Sequence, residues 1–284
     1  MALGVFVTWG LFPSYFKLLA GVPAIEVLSH RIVWSAVFMA VVLPLGGGVG
    51  TFRQAIRDRR VVGLIGLSAL LIGVNWLTYV STIAAGHVLE ASLGYFLSPL
   101  TNVALGRLVL GERLTRLQLA ACLLALGAVA ALALGTEGEI WRAIVLAISF
   151  GFYGLVRKVV RVEALPGNTL ECFLLVPFAG AYLVWCAGEG TLHFGPAIPG
   201  LSILLALSGV VTAVPLIAYA AAARRLKLST LGLMQFVTPT MAFLLGTLVY
   251  GEPFGPAKLL CFAAIWTALA LYARETVRLA RRPA

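Results

Sequence analysis

The sequence predicts an all-α membrane protein of about ten transmembrane helices, arranged as two inverted five-helix repeats. Three observations predict it. Apolar stretches of about 20 residues, the length needed to cross a bilayer, recur along the whole chain. Mean hydropathy is +1.01, with 61% hydrophobic and only 11% charged residues, too little charge to make a water-facing surface. The third observation is a duplication. The stretch 88-VLEASLGYFLSPLTNVALGRLVLGE-112 returns as 228-LSTLGLMQFVTPTMAFLLGTLVYGE-252. Pro99 and Pro239 lie 140 residues apart, as do Glu112 and Glu252. At the same offset Leu93, Phe96, Leu105, Gly106, Leu108, Val109 and Gly111 meet identical residues. Leucines match by chance in an apolar chain; a proline and a Gly-Glu terminus in register point to a repeated unit.

In chain order, spans are expected near 2–20, 26–46, 61–84, 88–110, 114–134, 140–160, 168–187, 200–223, 228–250 and 256–274. Shifting the first five by 140 lands on the second five. The seam falls in the acidic loop 135-GTEGE-139, so the units are 1–135 and 136–284. The alternating polarity of a membrane β-strand is missing from these segments.

The basic residues give the orientation. Arg53, Arg57, Arg59 and Arg60 follow the second span, and Arg113 and Arg116 the fourth. Arg157, Lys158 and Arg161 end the sixth, Arg224, Arg225 and Lys227 the eighth, and Arg274, Arg278, Arg281 and Arg282 the tail. These loops alternate, so the positive-inside rule puts them and both termini in the cytoplasm. With five spans per unit, the second unit is then upside down relative to the first. Secondary transporters use such inverted repeats, with the substrate near the midplane between them.

The same pattern excludes other classes. Net charge is +10, but the cations sit in short runs between spans, which reads as membrane orientation and gives no reason to expect nucleic acid. Cys122, Cys172, Cys186 and Cys261 lie inside apolar segments without CxxC spacing and read as small apolar residues. His30, His87 and His193 are too scattered for a metal cluster, and no metal or cofactor is expected. Walker A, HExxH and GxSxG motifs are missing from the sequence. The N-terminus has no basic stretch of the kind that opens a cleavable signal, and the first span begins almost at Met1.

At 29-SHRIVWS-35, 73-GVNW-76, 88-VLEASLGYF-96, 151-GFYGLVRK-158, 228-LSTLG-232 and the two Gly-Glu termini, the chain resembles the RarD branch of the EamA-type permeases in the drug/metabolite transporter superfamily. The resemblance covers essentially the whole chain. It implies a ten-helix inner-membrane transporter of two EamA repeats around a central cavity, exporting small metabolites or drugs.

Ionisable and polar groups inside spans are the candidate site, because each needs a partner or a water-filled cavity. Arg31 lies well inside the second span beside His30, and Glu26 shares the face of His30 at i, i+4. Arg31 reads either as a cavity cation or as a snorkelling side chain paired with Glu26 or interfacial water. Its counterpart at the 140 offset is Glu171, which suggests a cross-repeat pair. Span three carries Ser68, Asn75, Tyr79 and Thr82 on one face, with Trp76 beside them. Span four carries Glu90, Gly94, Ser98, Thr101 and Asn102 on one side, and Tyr95, whose counterpart is Gln235. Span six carries Ser149, Tyr153 and Arg157 at four-residue steps. The expected cavity wall is therefore Arg31, His30, Asn75, Trp76, Tyr79, Glu90, Tyr95, Tyr153 and Gln235. Arg157 and Lys158 read as positive-inside residues. Pro99 and Pro239 each remove an amide hydrogen bond and weaken the helix near mid-span. Glu112 and Glu252 end their helices, where a carboxylate opposes the macrodipole and must be satisfied by neighbouring Arg or by amides in the turn. These four read as hinge or structural residues.

A wall of this kind suits a small amphiphilic or zwitterionic substrate, with proton coupling through a titratable group. Two other classes stay open on the residues alone: an intramembrane enzyme acting on lipid through His30, Glu26 or Glu90, and a receptor or assembly subunit that transports nothing. The enzyme would need a clustered nucleophile and base, and a receptor has no need of an inverted duplication.

Overall fold

The computed structural model describes residues 2–84, 88–134, 140–249 and 256–280. The helices are α1 (Ala2–Lys17), α2 (Ala24–Leu45), α3 (Val49–Arg57), α4 (Arg59–Ala84), α5 (Val88–Leu108) and α6 (Arg116–Leu134) in the first half. The second half has α7 (Ile140–Val159), α8 (Ala164–Gly188), α9 (Pro199–Arg225), α10 (Leu228–Gln235), α11 (Val237–Leu244), a π-helical turn Leu245–Val249, and α12 (Pro256–Ala280). Ala24–Leu45, Arg59–Thr82, Ala164–Gly188, Pro199–Arg225 and Leu259–Leu279 are each long and apolar enough to cross a bilayer, and Arg116–Ala131 is a shorter apolar helix.

The repeat is visible in the helix starts. α2, α4, α5 and α6 begin at residues 24, 59, 88 and 116, and α8, α9, α10 and α12 each begin 140 residues later. The most extensive packing joins the two halves: α5 with α7, α2 with α8, α2 with α9, α6 with α12, α5 with α10 and α4 with α7. Three of these pairings, α2–α8, α5–α10 and α6–α12, join a helix to its own counterpart, as a two-fold relation requires. Others come as exchanged pairs, such as α2–α9 with α4–α8. The halves interlock, and their apolar cores are shared: Phe96, Val103, Ala121 and Ala125 pack with Leu233, Phe236, Phe262 and Ile265.

Local chemistry sets the ends. Thr115 and Gln118 form a reciprocal capping box at the start of α6, with Gln118 N–H donating to Thr115 Oγ1 at 3.2 Å and Thr115 N–H to Gln118 Oε1 at 3.0 Å. Asp58 caps α4 by accepting from Arg60 N–H at 2.9 Å. Gly111, at φ 66°, reverses the chain after α5, a conformation that strains any other side chain except Asn or Asp.

Two elements differ from the sequence reading. The segment 47–60, expected as a basic loop, contains α3. Its Phe52 and Ala55 pack on Val61, Ile65, Val160, Val162 and Leu170, while Arg53 and Arg57 are exposed. The ninth span is broken into α10, α11 and the π-helical turn, whereas α5 runs unbroken through Pro99. Pro239 cannot donate to the Gln235 carbonyl, and the helix gives way at Phe236, whose N–H turns to Leu233 O at 3.2 Å.

Candidate functional site

Arg31 is the eighth residue of α2 and is only 7% exposed. Its guanidinium lies 5.0 Å from the Phe16 ring centroid and 4.9 Å from that of Trp76, within cation–π range. Tyr15, Tyr79 and Tyr95 are close enough to interact with it electrostatically. Its Nε donates to Thr212 Oγ1 on α9 at 2.9 Å. Tyr79 and Tyr95 meet edge to face, with centroids 5.2 Å apart. The result is one cation in a cage of aromatic rings from α1, α4 and α5, held from the other half by a hydroxyl. The two Nη groups donate no hydrogen bond to a described residue.

Neither expected partner takes Arg31. Glu26 is buried, but its carboxylate accepts from His193 N–H at 2.6 Å and meets His193 Nδ1 at 2.9 Å. It ties the α8–α9 connection to the start of α2. His30 shares the face of Glu26 as expected, with Nε2 3.9 Å from Oε1, and its ring stacks on Phe194 at 4.9 Å. Glu171 faces Ser68 and Tyr153. Arg31 and Glu171 are both eighth residues of helices that start at opposite faces, so an inverted repeat puts them at opposite depths, out of reach of each other.

The polar stripe of α4 faces inward. Asn75 Nδ2 donates to Leu146 O at 2.9 Å and to Ser149 Oγ at 3.0 Å, both on α7. Asn75, Gly94, Tyr95, Ser98, Leu146 and Phe150 enclose a cavity of about 10 Å³, room for a single water at most. Ser68 Oγ donates a short hydrogen bond to Glu171 Oε1. Tyr153, fully buried, donates to Glu171 Oε2 at 3.3 Å and stacks on Tyr219 at 5.8 Å. Gln235 accepts from Asn102 Nδ2 at 3.1 Å, across the α5–α10 pairing.

The candidate residues thus fall into groups. Trp76, Tyr79 and Tyr95 gather around Arg31, with Asn75 behind Tyr95. His30 stands beside them with Glu26. Tyr153 belongs to a second cluster around Glu171, and Gln235 to the α5–α10 contact. Glu90 lies on α5 with its side chain outside the description, and Glu252 lies outside the described residues.

Several residues have roles that the sequence reading missed. Arg157 is 1% exposed, so it is not a solvated positive-inside residue. Its Nη2 donates to Ala164 O at 3.4 Å, and its Nε and Nη1 have no hydrogen-bond partner among the described residues. Lys158 Nζ donates to Ala223 O at 3.3 Å and to Leu226 O, closing the C-terminus of α9, where carbonyls and the macrodipole favour a cation. Glu112 is satisfied neither by Arg nor by its own turn. It accepts from Leu228 N–H at 2.6 Å, Ser229 N–H at 3.0 Å and Ser229 Oγ at 2.6 Å, capping α10 in the other half. The periodicity of Ser149, Tyr153 and Arg157 was the available signal for Arg157, since it places the cation on an inward stripe.

Residues 1–134 match the model of the EamA-like transporter family. Protein RarD of Escherichia coli is 43% identical, over 99% of this chain and 95% of its own length. An uncharacterized transporter of Vibrio cholerae is 45% identical, over 98% of this chain and 92% of its own length. A solved crystal structure at 18% identity superposes with a TM-score of 0.75 over 99% of this chain and 97% of that one, a likeness of fold. The helix-paired, duplicated architecture and these relatives agree: the chain belongs to the RarD branch of the EamA-like transporter family, as a multi-pass membrane transporter of the drug/metabolite superfamily.

Proposed function

We propose that the protein is a secondary transporter that exports small metabolites or drugs across the bacterial inner membrane, by alternating access between repeats 1–135 and 136–284. The observation that carries this reading is the Arg31 cage. A buried cation with free donors, ringed by Phe16, Trp76, Tyr79 and Tyr95, matches a small amphiphile that carries a carboxylate. The rings take the apolar body and Arg31 the anionic end, so amphiphilic carboxylates and zwitterions are the substrate class. Asn75 and His30 complete this wall; Gln235, at the α5–α10 contact, is read as lying on the path between the repeats, and Tyr153 belongs to the separate cluster around Glu171. The tight closure around Asn75 and Tyr95 belongs to an occluded state, which rocking of the repeats opens to one side at a time. Coupling to protons fits the buried titratable groups.

The basic end carrying α3 and the loops at 111–116 and 223–228 faces the cytoplasm in this reading, with both termini. Single cysteines at Thr51 and Thr191 check it: an impermeant thiol reagent added to intact cells labels Thr191→Cys and leaves Thr51→Cys untouched, and the reverse pattern overturns the topology. The function itself is tested by flux in proteoliposomes against a panel of labelled amphiphilic carboxylates, zwitterions and drugs, with and without a proton gradient. Saturable, gradient-driven movement of a panel member supports the reading. Movement indifferent to protein content overturns it.

A further inference from the structure

Glu171 and Arg157 are buried in the membrane helices α8 and α7, at 3% and 1% exposure, and the Arg31 cage uses neither. A carboxylate there has to be neutralised by a proton or by a counter-charge. The structure offers both. Ser68 Oγ and Tyr153 OH donate to its two oxygens. These neutral hydroxyls hold the group in either protonation state: both donate to the carboxylate, and when Glu171 is protonated one hydroxyl turns to accept its O–H. Among the described residues, Arg157 is the one charged group that acts on it, and Arg157 makes no ion pair within 4.0 Å. It is parked one turn away, over Gly167. A Cβ at Gly167 would meet Arg157 Nη1 at 2.9 Å and Nη2 at 3.0 Å. Gly167 precedes Glu171 by four residues on the same face of α8, so its missing side chain leaves a lane on the helix surface, flanked by Val162, that leads from the guanidinium one turn toward Glu171.

Arg157 arrives at this lane with unused donors. Its Nε and Nη1 are buried without partners among the described residues, and so are both amide atoms of Asn168, the residue after Gly167 on α8. Such groups are costly to leave unmade, so this arrangement favours a second one in which they are used. The groups that face Glu171 are Ser68 from α4, Tyr153 and Arg157 from α7, and its neighbour Cys172 on α8. Tyr219 of α9 covers the far side of Tyr153. Among the described residues, α2 and α3, which also pack on α8, bring no charged group to it.

We propose that Glu171 is the residue that carries the coupling proton of this transporter, and that Arg157 is the counter-charge that replaces the proton when it leaves. With Glu171 protonated, Arg157 stays on the Ala164 carbonyl, as in this structure. On deprotonation the carboxylic O–H bond breaks, the proton passes to water, and Arg157 moves along the Gly167 lane to pair with the carboxylate. Both arrangements have the same number of buried unpaired carboxylates, namely none. This assignment rests on the secondary-transport reading for its purpose, and its chemistry can be tested separately.

Dicyclohexylcarbodiimide, which reacts with protonated carboxyl groups in apolar surroundings, is the probe. In purified wild-type protein, mass spectrometry is expected to find the adduct on Glu171, decreasing as pH is raised. No adduct on Glu171 at acidic pH, or an adduct independent of pH, overturns the proposal. In proteoliposomes, Glu171→Gln is expected to lose accumulation driven by a pH gradient while keeping counterflow of the same labelled zwitterion. Loss of both in a variant that still elutes as folded protein assigns Glu171 to substrate movement itself and overturns the proton role. If wild-type protein moves no panel member and yet Glu171 is labelled in a pH-dependent way, the transport reading fails and the proton site stands.

Discussion

Arg31 on α2 and Glu171 on α8 stand at the same position of a duplicated helix, each the eighth residue, in helices whose starts lie 140 residues apart. Their surroundings have diverged. Arg31 is held by aromatic faces and one hydroxyl, with no acid as partner among the described residues. Glu171 has hydroxyl donors on both oxygens and a cation within a turn. Lys17 and Arg157 are likewise counterparts, ending α1 and α7, yet Lys17 is exposed and Arg157 is buried beside Glu171. The comparison teaches that duplication supplied two equivalent buried positions and the substitutions gave them different work. In the proposed reading, one end of the molecule offers a cation to a ligand, and the other keeps an acid with a cation in reach, an arrangement for a proton.

The difference can be broken at each end. Arg31→Ala removes a cation without leaving a buried acid alone, so melting temperature in detergent should move little. Flux should fall by about 10- to 100-fold, the loss of one charge-assisted contact of about 1.5–3 kcal/mol to an anionic substrate. Loss of folded protein would instead make Arg31 a packing residue. Arg157→Ala should behave in the opposite way. It leaves Glu171 without a counter-charge, and thermal unfolding should register a loss of about 2–3 kcal/mol at alkaline pH. The sign follows from the charge: at acidic pH Glu171 is neutralised by a proton and the defect shrinks. A loss independent of pH would mean that Glu171 stays in one protonation state throughout. A smaller effect is expected at Glu112, which caps α10 from the other half. Glu112→Ala should lower stability by about 0.5–2 kcal/mol, the range for a lost helix cap, with flux reduced only in proportion to folded protein. Glu112→Gln, which keeps one acceptor oxygen, should recover part of it.

Much of this was legible in the sequence, because duplication leaves a fixed offset. Pro99 with Pro239 and Glu112 with Glu252 placed the helices, and four helix starts follow the same 140-residue spacing. The offset misled where it was taken for contact. In an inverted repeat, equivalent residues lie at equal depths from opposite faces, so Arg31 and Glu171 are symmetry mates and not partners. It also could not say that one proline would be tolerated and the other would break its helix. Both remove the same bond, but α5 is braced by α4, α6, α7 and α10, while α11 packs mainly on α1. Helix α3 was hidden because its charge reads as a loop, and only the spacing of Val49, Phe52, Ala55 and Ile56 shows a face. The aromatic cage was half legible. Trp76, Tyr79 and Tyr95 were on the inward faces, but Phe16 has no polar atom to mark it out, and Thr212 is a single hydroxyl in an apolar span with no charged or aromatic neighbour in sequence to single it out.

State-dependent access to Asn75, the candidate that joins the Arg31 cage to α7, tests the central claim most directly. The four native cysteines are free and can be replaced, and single cysteines then placed at Asn75 and at Gln235. Each is exposed to an impermeant thiol reagent from either side of sealed vesicles, with and without a transported compound. The account predicts that Asn75→Cys reacts from the outer side in one condition and from the inner side in the other, and that the transported compound protects it. It predicts the same alternation, with weaker protection, for Gln235→Cys. Reactivity from one side only, unchanged by any transported compound, would make these residues helix packing and contradict a substrate path between the repeats.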